Sequence, residues 1–189
     1  MEEKYKQQPA NCIKVVLFGP ESTGKTTLSR QLARYYSSVW VPEYAREYLQ
    51  KKWNDHRKTC ELEDLLPIAE GQIRLENELA QKTESVLICD TDLLETKVYS
   101  EAFYSESCDA MLEKYAVKNS YNLYFLTYID TPWEADDLRD RPEEREAMFN
   151  AFQDALDKYN KPYVLLKGDI KTRLETAIKH IDKLLNSKV

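Results

Sequence analysis

IKVVLFGPESTGKTTL, residues Ile13 to Leu28, is the stretch that decides how the chain folds. Ile13 to Phe18 is a short run rich in β-branched residues, interrupted only by Lys14, and suits a strand buried in a parallel sheet. Gly19 to Thr26 then fits the phosphate-loop pattern G-x-x-x-x-G-K-[ST] with nothing left over. From Thr27 to Tyr36 the spacing predicts an amphipathic helix. Chemistry explains the order of these parts. Backbone N–H groups from Glu21, Ser22, Thr23 and Gly24, with the helix start through Thr27, make a concave nest for phosphate oxygens. Gly19 and Gly24 let the chain turn with no Cβ in the way. Lys25 supplies a positive charge for β and γ phosphates, and Thr26 an oxygen for Mg²⁺. A chance glycine–lysine turn is the competing reading. It leaves unexplained why two of only four glycines occupy the required positions, between a strand and a helix.

Composition sets the limits. At 189 residues and 22.2 kDa the chain predicts one domain, residues 1–189, with residues 1–11 as a flexible tail. Its 42% hydrophobic and 32% charged residues describe a soluble globular protein, and the mean hydropathy of -0.65 agrees. With a net charge of -6 and no basic run, the phosphate backbone of a nucleic acid is a poor partner. The opening MEEKYKQQPAN has no apolar core of a leader or anchor, and no apolar run approaches spanning length, so no membrane role is expected. Cys12, Cys60, Cys89 and Cys108 are scattered, which argues against disulfides and zinc and for the cytoplasm.

Further along, short apolar runs alternate with helical patterns. Strands are expected at Val39–Val41, Val86–Cys89, Tyr121–Ile129 and Tyr163–Leu166. Helices are expected after Pro42, over Leu62–Ala80, Leu93–Tyr104, Cys108–Val117, Pro142–Tyr159 and Lys171–Leu185, with Asn54–Lys58 a loop. The alternation predicts an α/β fold: five parallel strands with helices on both faces, ligand beyond the carboxyl ends of the strands. Gly71 inside the long third helix suggests close approach of a backbone or ligand, or a tolerated weak spot.

Those strand ends carry the chemistry. Val86–Cys89 leads into Asp90, the pattern of an acid that orients Mg²⁺, although an aspartate there is also a good helix cap. Asp92 is either that cap or a holder of an acceptor hydroxyl. Glu43 is placed to take a proton from an attacking hydroxyl, or simply to complement a helix dipole. Arg46, one turn on, pairs with Glu43 or meets phosphate or substrate. Arg139, Arg141 and Arg145 fit a cationic lid over the transferring phosphoryl group as well as they fit a solvated helix start. Of the aromatic residues near this edge, Trp40, Tyr44, Tyr48, Tyr99, Phe103, Tyr104 and Trp133 are candidates to stack on a flat ring.

GPESTGKTTL, VWVPEYAREYL, IAEGQ, the strand ending in DTD, and LRDRPEER together resemble the NadR-type nicotinamide riboside kinases, over nearly the whole chain from Ile13 onward. The resemblance implies a nucleotide-kinase fold and transfer of the γ-phosphoryl of ATP to the 5′-hydroxyl of nicotinamide riboside. It implies Lys25, Glu43, Asp90, Arg139 and Arg141 as catalytic, Arg145 with the loop on ATP, Thr26 and Asp90 on Mg²⁺, and Glu43, Tyr44, Arg46 and Asp92 on the acceptor. Multifunctional members carry an adenylyltransferase domain ahead of the kinase. About a dozen residues precede the first strand here, so the kinase step alone is expected. Another nucleoside or metabolite kinase shares every motif, and a non-kinase ATPase switch shares the loop.

Overall fold

A computed structural model describes residues 2–104, 108–134 and 142–187. Among them, strands β1 (Ile13–Phe18), β2 (Trp40–Val41), β3 (Val86–Cys89), β4 (Leu123–Thr127) and β5 (Tyr163–Leu166) form one parallel sheet in the order β2-β3-β1-β4-β5. Helices α1 (Lys25–Tyr35), α2 (Tyr44–His56), α3 (Leu65–Ala80), α4 (Leu93–Phe103), α5 (Ala110–Lys118), α6 (Arg145–Lys158) and α7 (Ile170–Asn186) connect and cover it. The expected α/β architecture is the one found.

All six residues of β1 are buried, as a central strand covered on both faces requires. Lys14, the charge inside that run, is neutralised by Glu76 of α3, Nζ to Oε1 at 2.8 Å. Tyr121 donates its hydroxyl to the other Glu76 oxygen at 2.7 Å. A buried pair is tolerable when its remaining lone pairs find donors in this way. On one sheet face α1 and α7 pack through Leu28, Leu32, Ala177 and Ile181. The opposite face is covered by α3, α4, α5 and α6, with Ile73, Leu94, Leu112 and Phe152 among the buried contacts. Strand β1 lies between β3 and β4, so the loop after β1 and the end of β3 open side by side at one edge.

Two expectations need correction. Asn54 to His56 continue α2 instead of forming a loop; the helix stops at Arg57, whose φ of 55 is left-handed and whose N–H bonds to Trp53 O. A polar run does not separate a loop from an exposed last turn. The second concerns the N-terminal segment, which is packed rather than flexible. Glu2–Tyr5 form a 3-10 turn, Tyr5 is buried and stacks on Tyr115 with centroids 6.0 Å apart, and Gln8 N donates to Asn77 Oδ1 at 2.8 Å. One anchoring ring, ion pairs from Lys4 to Glu70 and from Lys114 to Glu2, and a few hydrogen bonds hold this segment, and none of these gives a hydrophobic period. Among the described residues no helix is long and apolar enough to cross a membrane, and all four cysteines are free thiols.

Candidate active site

The phosphate loop is built as its glycines require. Gly24 caps α1 with φ 82, and Gly19 has φ 135; a Cβ on Gly19 would lie 2.8 Å from Thr127 Oγ1 and 3.0 Å from Thr127 O. Other elements fix the loop from outside. Thr131 Oγ1 donates to Ser22 O at 2.6 Å, and Arg145 Nη2 reaches the same oxygen at 3.3 Å. Arg173, buried on α7, donates to Thr23 O at 2.7 Å, to Tyr128 O at 3.0 Å and to Gly168 O at 2.9 Å, and pairs with the Asp130 carboxylate. One guanidinium therefore ties the phosphate loop to the ends of β4 and β5.

Around Lys25 stand three carboxylates. Its Nζ bonds Pro20 O at 3.1 Å and Gly19 O, and faces Glu95 Oε1 at 3.2 Å. Burial pulls the Lys25 ammonium down, but Glu95, Glu43 and Asp90 outweigh it and the net shift is upward. Asp90 is 1% exposed and accepts from Ser29 Oγ at 3.3 Å and from the Thr26 hydroxyl. Burial lifts it to about 7, Glu43 adding to the rise while the two hydroxyls and Lys25 oppose it. Asp90 is not the cap of α4. That place belongs to Asp92, which accepts from Glu95 N at 3.0 Å and from Tyr124 OH at 2.6 Å. Glu43 stands at the N-cap of α2 and makes no capping hydrogen bond, so its carboxylate is not consumed by the helix. Gln72 of α3 brackets it, accepting from Tyr44 N at 2.8 Å and donating to Pro42 O at 3.2 Å.

Beside this cluster lies a cavity of about 240 Å³. Glu43, Glu95 and Glu21 face it on the loop side, and Tyr99, Phe103 and Trp133 are among its aromatic walls. Arg145 also lines it, donating to Thr131 O at 3.0 Å with its guanidinium 5.6 Å from the Trp133 ring.

The structure thus gathers Gly19, Lys25, Thr26, Glu43, Asp90 and Arg145 at one edge. Tyr44 and Asp92 are engaged in the fold: the Tyr44 ring lies over Gly71, where a Cβ would come within 2.1 Å of it, and Asp92 caps α4. Neither is among the residues lining the cavity, nor is Arg46, half-buried on α2. Arg139 and Arg141 lie outside the described residues. Three buried residues escaped the sequence reading. Glu95 sits three residues after Asp92, a D-x-x-E spacing that reads as a capping box and hides a carboxylate aimed at Lys25. Arg173 shares the buried face of α7 with Ala177 and Ile181, four and eight residues on. Gln72 stood inside IAEGQ without a role.

Comparison with known proteins agrees with the fold. A family profile described as an AAA domain matches residues 14–173. The trifunctional NAD biosynthesis/regulator protein NadR of Salmonella typhimurium is homologous, 26% identical over 158 residues that make up 81% of this chain and 38% of that protein. Among solved structures, a NadR protein in complex with NR superposes with a TM-score of 0.73 at 21% identity, covering 93% of this chain and 52% of that one. A deoxyadenosine kinase from M. mycoides superposes at 0.68 and 18% identity, covering 90% of this chain and the whole of the other. The fold is that of the nucleoside kinases.

Proposed function

The chain belongs to the AAA domain family, and from that premise we propose that it is an ATP-dependent kinase of nicotinamide riboside, yielding nicotinamide mononucleotide. The observation that carries this reading is the cavity with aromatic walls lined by Glu43 and by Glu95, the partner of Lys25. An ATPase that activates water has no need of such a recess, whereas a ribosyl acceptor with a flat ring does. Homology to NadR and the likeness to a NadR protein in complex with NR support the choice of acceptor.

The residues divide the work. Loop amides and Lys25 hold the β and γ phosphates, and Arg145 borders the transfer path from the Trp133 side. Thr26 and Asp90 are hydrogen-bonded to each other, which suits them to hold Mg²⁺. Among the described residues no cluster of three or more His, Cys, Asp or Glu forms a metal cage, and an ion carried in on phosphates and water needs none. When bound, Mg²⁺ offsets the negative charge of the phosphates. Glu43 is the base: it faces the cavity, whereas Asp90 is committed to the Thr26 and Ser29 hydroxyls. It accepts the proton as the acceptor's 5′-oxygen attacks the γ-phosphorus in line, the bond to the β,γ-bridging oxygen breaks and ADP leaves, and the cavity wall keeps water from competing.

The test is a coupled assay with MgATP and nicotinamide riboside, run beside deoxynucleosides and beside ATP alone. Formation of nicotinamide mononucleotide is expected. Turnover restricted to deoxynucleosides would move the acceptor toward that of the deoxyadenosine kinase, and turnover without any acceptor would overturn the kinase reading.

A further inference from the structure

Glu95 uses its two carboxylate oxygens unequally. Oε1 faces Lys25 Nζ at 3.2 Å, while Oε2 is sealed from solvent and meets no hydrogen-bond donor. The residue is 3% exposed, stands in the first turn of α4, and lines the cavity. A buried carboxylate oxygen without a donor is costly, and native structures rarely keep one without a use. Lys25 is at the same time the group that the phosphates of a nucleotide require.

We infer that Glu95 couples the nucleotide and acceptor halves of the site, holding Lys25 before nucleotide binds and taking a hydroxyl of a ribosyl acceptor once Lys25 turns to the phosphates. The inference rests on the kinase reading above and adds to it a shared residue. As Lys25 leaves, the Glu95 carboxylate loses its counter-ion inside a cavity. It must then draw a proton or find a donor, and either need weakens nucleotide binding until the acceptor arrives. Linkage makes the effect mutual: acceptor tightens nucleotide and nucleotide tightens acceptor by the same factor. The upward push of burial on the Glu95 carboxyl, against the pull of Lys25, is consistent with this tension.

The experiment measures binding of the β,γ-imido analogue of ATP, with Mg²⁺, by calorimetry with and without nicotinamide riboside. In the wild-type protein the riboside is expected to tighten the analogue at least ~5-fold, the lower end of ordinary coupling. In Glu95→Gln the analogue alone should bind about tenfold more tightly than to wild type, and the riboside should add less than about twofold. Riboside that binds and is turned over without affecting the analogue overturns the inference and leaves the kinase reading standing. Riboside that neither binds nor reacts overturns the acceptor assignment, and the analogue-only comparison still decides whether Glu95 restrains Lys25. If Glu95→Gln binds the analogue no more tightly than wild type, Glu95 does not restrain Lys25. Neutralising the side chain removes the ion pair to Lys25, so the melting temperature is expected to fall while the protein stays folded, because Lys25 keeps its bonds to Gly19 O and Pro20 O. A variant that fails to fold points to a purely structural role and also overturns the proposal.

Discussion

Gln72 and Tyr44 meet through a 2.8 Å hydrogen bond from the Tyr44 backbone N–H to the Gln72 side-chain oxygen. The amide nitrogen of Gln72 returns to Pro42 O at 3.2 Å, so a buried side chain on α3 fixes the backbone on both sides of Glu43. Gly71, its neighbour, leaves room for the Tyr44 ring. The position of Glu43 is thus set by a side chain from α3 that also lines the cavity.

Gln72→Ala should therefore reduce turnover far more than it alters the KM for ATP. A loss of about tenfold in kcat is expected, together with about 1–2 kcal/mol of stability from the donor and acceptor left unpaired. Steady-state kinetics beside a urea titration check both parts. An unchanged kcat in a folded variant would free Glu43 from this support.

Removing the charge of Glu43 tests the base itself. Glu43→Gln keeps the shape of the side chain but accepts no proton, so kcat should fall by roughly 100- to 10,000-fold. Nucleotide affinity should hold within a few-fold, because the phosphates rest on the loop. Nucleotide binding lost in proportion to kcat would instead make Glu43 part of the ATP site.

Asp90 makes the stability of the ligand-free protein depend on pH. Its folded value of about 7 lies above the ordinary 3.8, so the folded chain holds the proton more tightly than the unfolded chain. The resulting stabilisation is complete below 3.8 and is lost as pH rises through about 7. Asp90→Asn carries no such charge. In EDTA the variant should gain on wild type between pH 5 and pH 8, by at most roughly 3 kcal/mol. Denaturant titrations at the two pH values read the difference; equal gaps at both would deny the ionisation. On the proposed role of Asp90 at Mg²⁺, kcat/KM should carry an acid limb at or below about 7, because bound metal favours the ionised carboxylate.

Arg173→Met removes the guanidinium that joins Thr23 O, Tyr128 O, Gly168 O and Asp130. The Asp130 side chain is 30% exposed and can rehydrate, so a stability loss of about 2–3 kcal/mol is expected, below the range for a fully buried pair. The KM for ATP should rise as the loop loses its brace. A melting curve and an ATP titration suffice, and a variant with wild-type KM would limit Arg173 to a structural role.

Sequence by itself determined the parts whose signal is local. A glycine pattern with a lysine specifies a phosphate nest wherever a strand feeds a helix, and five apolar runs separated by helical spacing specify a parallel sheet with one working edge. Asp90 and Glu43 followed from their places at strand ends, and Gly71 signalled a close approach without saying what approached. Only the tertiary structure could give the partners, because they come from residues distant in the chain. Lys25 finds Glu95 seventy residues on, Arg173 crosses from the last helix to the first loop, and Gln72 reaches back to the turn around Glu43. Burial decides such pairings. A charged or amide side chain taken out of water must take the partner that packing brings to it, and packing depends on the whole chain at once.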